Sequence, residues 1–280
     1  MPRSFMEEFH YRIPWRSRNV HPGHHRSQIQ GVGLEFRGHA TLIDYPDPRK
    51  LDIHASLHDP FGQHKVKLFS QTSLIPILVV ADLSASMGLG TKPKLLSRLA
   101  AAIAYSAYRT GDLFGFLGVN DRIVLQYPLR FSKCLALELK HRLEKGPFQG
   151  KHLGMLRVGP YLGRQRALLF LISDFHFALT EVEALLTRLK PHDVVPVALW
   201  MSREWQAPAR WGWAKLYDPE TGHRRFLWLS PSSQAKLACA FCNRREQLIA
   251  LCRRYGRPPF FIEDEFYPEK LTQYFLETCA

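Results

Sequence analysis

The tightest constraint on this chain is the apolar run from Ile75 to Val80, rich in β-branched residues and ending two positions before Asp82. Such a run predicts a strand buried on both faces, as in the middle of a parallel sheet. Asp82, Ser84 and Ser86 follow at a spacing of two. Leu95 to Tyr108 then carries Leu, Ala and Ile at helical spacing. A strand, an oxygen-rich loop and a helix put these groups at the carboxyl edge of a sheet, where open α/β folds bind ligands. One carboxylate and two hydroxyls make a hard-oxygen half-site suited to a small divalent cation such as Mg²⁺. The same side chains would also serve as turn and helix-cap hydrogen-bonding groups.

The pattern repeats downstream. Strands are predicted at Asp112–Val119, Ala167–Ile172 and Asp193–Trp200, with Arg122–Tyr127 as an antiparallel partner across the Asn120-Asp121 turn. Ser132 is placed to cap a helix running to Lys145, and Thr180 one running to Lys190. Alternating strands and helices predict an α/β, doubly wound, mostly parallel sheet with right-handed crossovers. Further on, Leu216 to Gly222 reads as a turn between two short strands, and Ser232 or Ser233 as the cap of a helix to Tyr255. A last strand at Pro259–Ile262 and a helix at Pro268–Thr278 close the chain. Before residue 70 the periodicity is weak, with one or two strands expected in Val32–Ile43. The expected organisation is an arm over 1–70 with short strands, the α/β domain over 71–230, and a helical extension over 231–280.

The net charge of +13 is concentrated. Between Thr91 and Phe170 there are 14 Lys and Arg against four acids, a surplus of 10. That segment reads either as a surface steering an acidic protein partner or as a solvated basic face. No nucleic-acid reading motif accompanies the charge, so nucleic acid is not an expected partner. No apolar stretch reaches the roughly 20 residues of a membrane span, and residues 1–20 lack the apolar centre of a signal peptide. A cytoplasmic protein is expected. Cys134, Cys239, Cys242, Cys252 and Cys279 have no framework spacing and read as reduced thiols. Cys239, Cys242 and Cys252 sit among Leu and Ala on a predicted amphipathic helix, which favours a core role over a zinc pair. His21-Pro-Gly-His-His reads as a turn with exposed imidazoles. Neither a phosphate-binding glycine loop before Lys-Ser/Thr nor a G-x-S-x-G elbow is present.

The Asp82-Leu-Ser-Ala-Ser86 pattern resembles the metal-ion-dependent adhesion site of von Willebrand factor A domains. Gly31-Val-Gly-Leu-Glu-Phe-Arg, Tyr45-Pro-Asp-Pro-Arg-Lys-Leu-Asp, Val66-Lys-Leu-Phe and the Asp82 motif occur in one order. In this the chain resembles, over roughly residues 21–255, a bacterial family of von Willebrand factor A-like proteins of unknown function. Those proteins are usually encoded beside MoxR-type AAA+ ATPases. Pro46-Asp47-Pro48 stands where that family has Gly-Asp-Asp, and Ile53 where it has Trp. Arg49 and Asp52 are retained and are expected to form a bridge tying the arm to the main domain.

The resemblance implies Asp82, Ser84, Ser86 and Asp174 as metal ligands. It implies a non-enzymatic module that docks an acidic partner residue and acts with the ATPase in maturation or metal loading of a client enzyme. Likeness to the MxaS-type subgroup of methanol-oxidation clusters would make that client methanol dehydrogenase. The family's fourth ligand, a threonine, is replaced in Gly150-Lys-His-Leu by Lys151 or His152. Two expectations follow. Either the Lys151 ammonium enters the site and Mg²⁺ binds weakly or not at all, or Lys151 faces solvent and Mg²⁺ binds normally. The alternative function is a metal-dependent hydrolase using Asp82 and Asp174, for which the sequence supplies no activating base or second metal.

Overall fold

The computed structural model describes residues 6–17, 22–205, 212–217, 224–229 and 231–278. They divide into two compact units, Ile13–Ile75 and Met1–Arg12 joined with Pro76–Ala280. In the smaller unit one long strand, β1 (Pro22–Thr41), replaces the one or two expected within Val32–Ile43. A short helix, α1 (Ile53–Leu57), follows, and then β2 (Lys65–Ser73), which pairs antiparallel with β1 through several register shifts. Asp52 caps α1 by accepting the Ala55 N–H at 3.1 Å. Its carboxylate also meets His39 at 2.9 Å and Lys67 at 3.4 Å. The expected Arg49–Asp52 bridge is therefore corrected: the capping geometry turns Asp52 toward the β1–β2 ribbon. Arg49 and Asp52 also share one unit, so a bond between them would tie nothing to the sheet.

The larger unit is the α/β domain. It runs β3 (Pro76–Asp82), α2 (Lys92–Thr110), β4 (Leu113–Val119), β5 (Ile123–Arg130), α3 (Leu135–Glu144), β6 (Leu168–Ser173), α4 (Leu179–Leu189) and β7 (Asp193–Trp200). It continues with the antiparallel hairpin β8 (Gly212–Tyr217) and β9 (Arg224–Leu229), then α5 (Pro231–Arg254), β10 (Phe260–Glu263) and α6 (Pro268–Thr278). The turn expected between β8 and β9, and the side chains of Ser232 and Ser233, lie outside the described residues.

Six strands form one sheet in the order β10-β7-β6-β3-β4-β5, all parallel except β5. This is the doubly wound sheet expected, with its antiparallel edge. The chain runs outward from β3 to one side, then crosses to β6 and runs outward to the other. That reversal between β3 and β6 opens the crevice in which such folds bind ligands. Every residue of β3, β6 and β7 is buried, so their apolar runs form the centre of the core.

Three local expectations are corrected. Cys134, not Ser132, is the residue before α3, and Thr180 lies inside α4 behind Ala178. Residues 6–12, expected in the arm, belong to the sheet's unit, where the Phe9 ring meets Phe170 and Phe275 at about 6 Å between centroids. Of the three cysteines on α5 only Cys252 is core; Cys239 and Cys242 are exposed, because α5 buries its apolar stripe through Leu248, Leu251 and Cys252.

Candidate functional site

The register of β3 against β6 pairs Ala81 with Ile172, which brings the next residues, Asp82 and Ser173, side by side at the carboxyl edge. Ser173 donates its hydroxyl to Asp82 Oδ2 at 2.8 Å. The other oxygen, Oδ1, accepts the Ser84 N–H at 2.9 Å, closing the turn out of β3. Ser84 and Ser86 Oγ lie 3.1 Å apart. Asp174 follows Ser173, and the chain then turns through Phe175 at a φ of 51°, a left-handed conformation that a bulky residue adopts only under constraint. The constraint is visible: the Phe175 N–H is held by Ser173 Oγ at 3.1 Å, and the Trp200 indole N–H donates to the Asp174 carbonyl at 2.8 Å. The structure thus brings Asp82, Ser84, Ser86 and Asp174 into one site.

Lys92, which the sequence reading did not single out, completes it. Its Nζ lies 2.9 Å from Asp174 Oδ2 and 2.6 Å from Glu204 Oε1, and the side chain is only 1% exposed. Lys92 is the first residue of α2, and Glu204 ends the single 3-10 turn Ser202–Glu204 after β7. Glu204 also meets His176 Nε2 at 3.4 Å, and that imidazole lies parallel to the Trp200 ring at 6.0 Å. Two strand ends, those of β6 and β7, and one helix start therefore converge on one ammonium.

Charge separates the two aspartates. Burial, and then the charge of Asp174, push Asp82 up to about 6, against the lowering effect of its Ser84 and Ser173 bonds. Burial would raise Asp174 too, but the Lys92 ammonium, His176 and the Ser86 hydroxyl outweigh it and hold Asp174 below the usual range. Glu204 is likewise held low against its own burial, by His176 and Lys92. Burial works against the Lys92 ammonium, yet Asp174 and Glu204 keep it charged, above the ordinary lysine value.

The loop expected to supply the fourth ligand does reach the site, but through its backbone. Gly150 accepts the Ala85 N–H at 3.1 Å, and Gln149 donates to the Leu83 carbonyl at 3.1 Å. Lys151 is exposed, with its N–H on Asp121 Oδ1 at 3.1 Å. The expectation that its ammonium enters the site is corrected: the positive φ of Gly150 (73°) turns the chain outward there. His152 lies parallel to the Phe177 ring at 4.2 Å and pairs with Glu181 at 3.2 Å.

The donor set fits a resident Mg²⁺ poorly. Both Asp82 oxygens have donors, Asp174 is paired with an ammonium, and the Gly150 carbonyl beside the threonine position is already in use. Among the described residues no cluster of three His, Cys, Asp or Glu could hold a metal ion.

A doubly wound sheet with a carboxylate, hydroxyl and lysine site at its switch point defines the class of this protein. Residues 58–244 match the family described as "Protein of unknown function DUF58", and the chain belongs to that family. It is 38% identical over 102 residues to an "Uncharacterized protein in moxR 3'region" of Paracoccus denitrificans, a match covering 36% of this chain and 96% of that protein. Among solved structures it is similar to BatB of Bacteroides thetaiotaomicron, at 12% identity and a TM-score of 0.42, over 73% of this chain and 98% of that one. A von Willebrand factor type A protein of Catenulispora acidiphila matches at 13% identity and a TM-score of 0.37, over 76% and 43% of the two chains. The fold rests on the strand order itself, not on these low scores.

Proposed function

We propose that this chain is a non-enzymatic interaction protein that works with a MoxR-type AAA+ ATPase and docks a partner at the carboxyl edge around Asp82, Ser84, Ser86 and Asp174. The observation that carries the reading is the Paracoccus denitrificans relative, matched over 96% of its length and named for its place beside moxR. The site supports it, since its hydroxyls and carboxylates lie at the crevice where this fold receives ligands. In the finer form of the proposal the pair matures or metal-loads a client enzyme, with methanol dehydrogenase the first client to test, in a cytoplasmic setting. Among the described residues no helix is long and apolar enough to cross a membrane.

Part of the basic segment is available for an acidic partner surface. Arg98, Arg109 and Arg130 are paired with Glu7, Glu8 and Glu138, and Lys92 is buried. Lys94, Lys133, Arg142, Lys145, Lys151 and Arg157 are exposed. The test uses the purified full chain and the MoxR-type ATPase of the same genome, with association followed at low and high salt. Binding that slows as salt rises is expected, because exposed charges are screened beyond about 8 Å at physiological ionic strength. No association would refute the partnership, and a salt-independent rate would leave the basic face merely solvated.

The hydrolase reading gains no support from the geometry. The flanking imidazoles of His152 and His176 are engaged with Glu181 and Glu204. Turnover of chromogenic phosphates or esters that is abolished by Asp82→Ala would reverse that judgement.

A further inference from the structure

We infer that Lys92 is the resident cation of this site: its ammonium holds Asp174 and Glu204 together in the place where an adhesion site would carry a divalent metal. The position of Lys92 is an unfavourable one for a cation. An ammonium at the first residue of a helix faces the positive end of the helix dipole, and one that is 1% exposed has lost its water. Side chains at a helix start lean back toward the N-terminus, so a lysine there reaches over the edge from which the helix springs. Two carboxylates from different strand ends meet it at 2.9 and 2.6 Å. Neither Asp174 nor Glu204 is near Lys92 in sequence, so the fold itself assembles the triad.

The surroundings agree with an ammonium and disagree with a metal. Asp82 is served by a backbone N–H and a serine hydroxyl, donors that a coordinated carboxylate would have to share or release. Ser84 and Ser86 are within hydrogen-bond distance of one another. The 150–151 loop turns Lys151 outward and offers no hydroxyl. A dication here would compete with Lys92 for Asp174. This inference deepens the docking proposal by naming what carries the positive charge, and it is tested without any partner, so the two can fail separately.

The experiment is a titration of Mn²⁺ into the full chain, followed by the loss of the free-ion electron paramagnetic resonance signal and by calorimetry. Wild type should show no binding below the millimolar range. Lys92→Gln, which removes the charge and leaves a polar side chain one atom shorter, should bind at least about tenfold more tightly, since about 1.4 kcal/mol of relieved repulsion is a tenfold change. The double variant Lys92→Gln/Asp174→Asn should lose that gain. Micromolar binding by wild type, unchanged by Lys92→Gln, would overturn the inference, and so would a well-folded Lys92→Gln that binds no better than wild type. If Lys92→Gln fails to fold, melting of wild type in millimolar Mn²⁺ against chelator decides. A ligand at 100 times its Kd adds about 2.7 kcal/mol, so an unchanged Tm supports the lysine cation and a rise of several degrees overturns it.

Discussion

Replacing Asp82 by Asn should stabilise this protein, and should do so more at neutral than at acid pH. Asp82 is fully buried, has no ion pair among the described residues, and is pushed up to about 6 from 3.8 by burial and by Asp174. A carboxyl group whose pKa is raised on folding favours the native state below its unfolded value. That contribution is lost as pH rises through the folded value. At 1.36 kcal/mol per unit, the shift of about two units makes the ionised carboxylate a burden of about 3 kcal/mol at pH 7.5 and about 1 kcal/mol at pH 4.5. Asparagine has the same shape. Its carbonyl can keep the Ser84 N–H, and its amide can donate to Ser173 Oγ, which then accepts where it now donates.

The assay is urea unfolding of wild type and Asp82→Asn in chelated buffer at several pH values. The stability of the variant relative to wild type should rise by about 2 kcal/mol between pH 4.5 and 7.5, with an unchanged m-value. Comparing the two proteins removes the opposite slope of His192, whose pKa burial lowers. A gap that does not move with pH, or one that moves the other way, would refute the reasoning. It would mean that the ionised carboxylate has a cation in the folded state. The same variant should lose partner binding if that carboxylate is part of the docking site, the usual opposition between stability and function.

Three other outcomes follow from the geometry. Arg257→Ala should cost about 3–5 kcal/mol in urea unfolding. The buried guanidinium makes two bonds to Asp193, at 2.8 and 2.9 Å, and reaches Thr278 and the Arg12 carbonyl; a loss under about 1 kcal/mol would show the pair to be dispensable. Gly150→Ala should destabilise by about 1–3 kcal/mol, because φ is 73° and the new Cβ would lie 2.2 Å from Asp121 Oδ2; an unchanged Tm would show that the loop gives way without cost. Cys252, whose thiol burial pushes up to about 12, should resist alkylation at neutral pH while exposed Cys134, Cys239 and Cys242 react, as peptide mass mapping would show.

The sheet was legible because its strands bury both faces, and a strand of that kind is an apolar run whatever surrounds it. Asp193–Trp200 and Pro268–Thr278 appear with their expected bounds, and the other strands of the main sheet start or end within about three residues of theirs. Helix caps were read less well: Ser132 and Thr180 are good cap residues by type, but only the path of the chain decides which residue precedes the first turn. The site was half legible. Asp82, Ser84 and Ser86 share a loop, and Asp174 closes a second apolar run, so both halves carry a local mark. Glu204 carries none, since one glutamate in a short turn is ordinary until the fold aims it.

Lys92 is the instructive case, because charge counting placed it in a basic surface surplus while the structure buries it. A cation at the first position of a helix opposes the dipole, and the residue before Pro93 is also biased away from helical backbone. Both rules argue against a lysine there. A residue that offends local preference in the turn after a carboxylate-bearing strand end is better read as held by something distant. The two carboxylates that hold it supply the reason the local rules are broken.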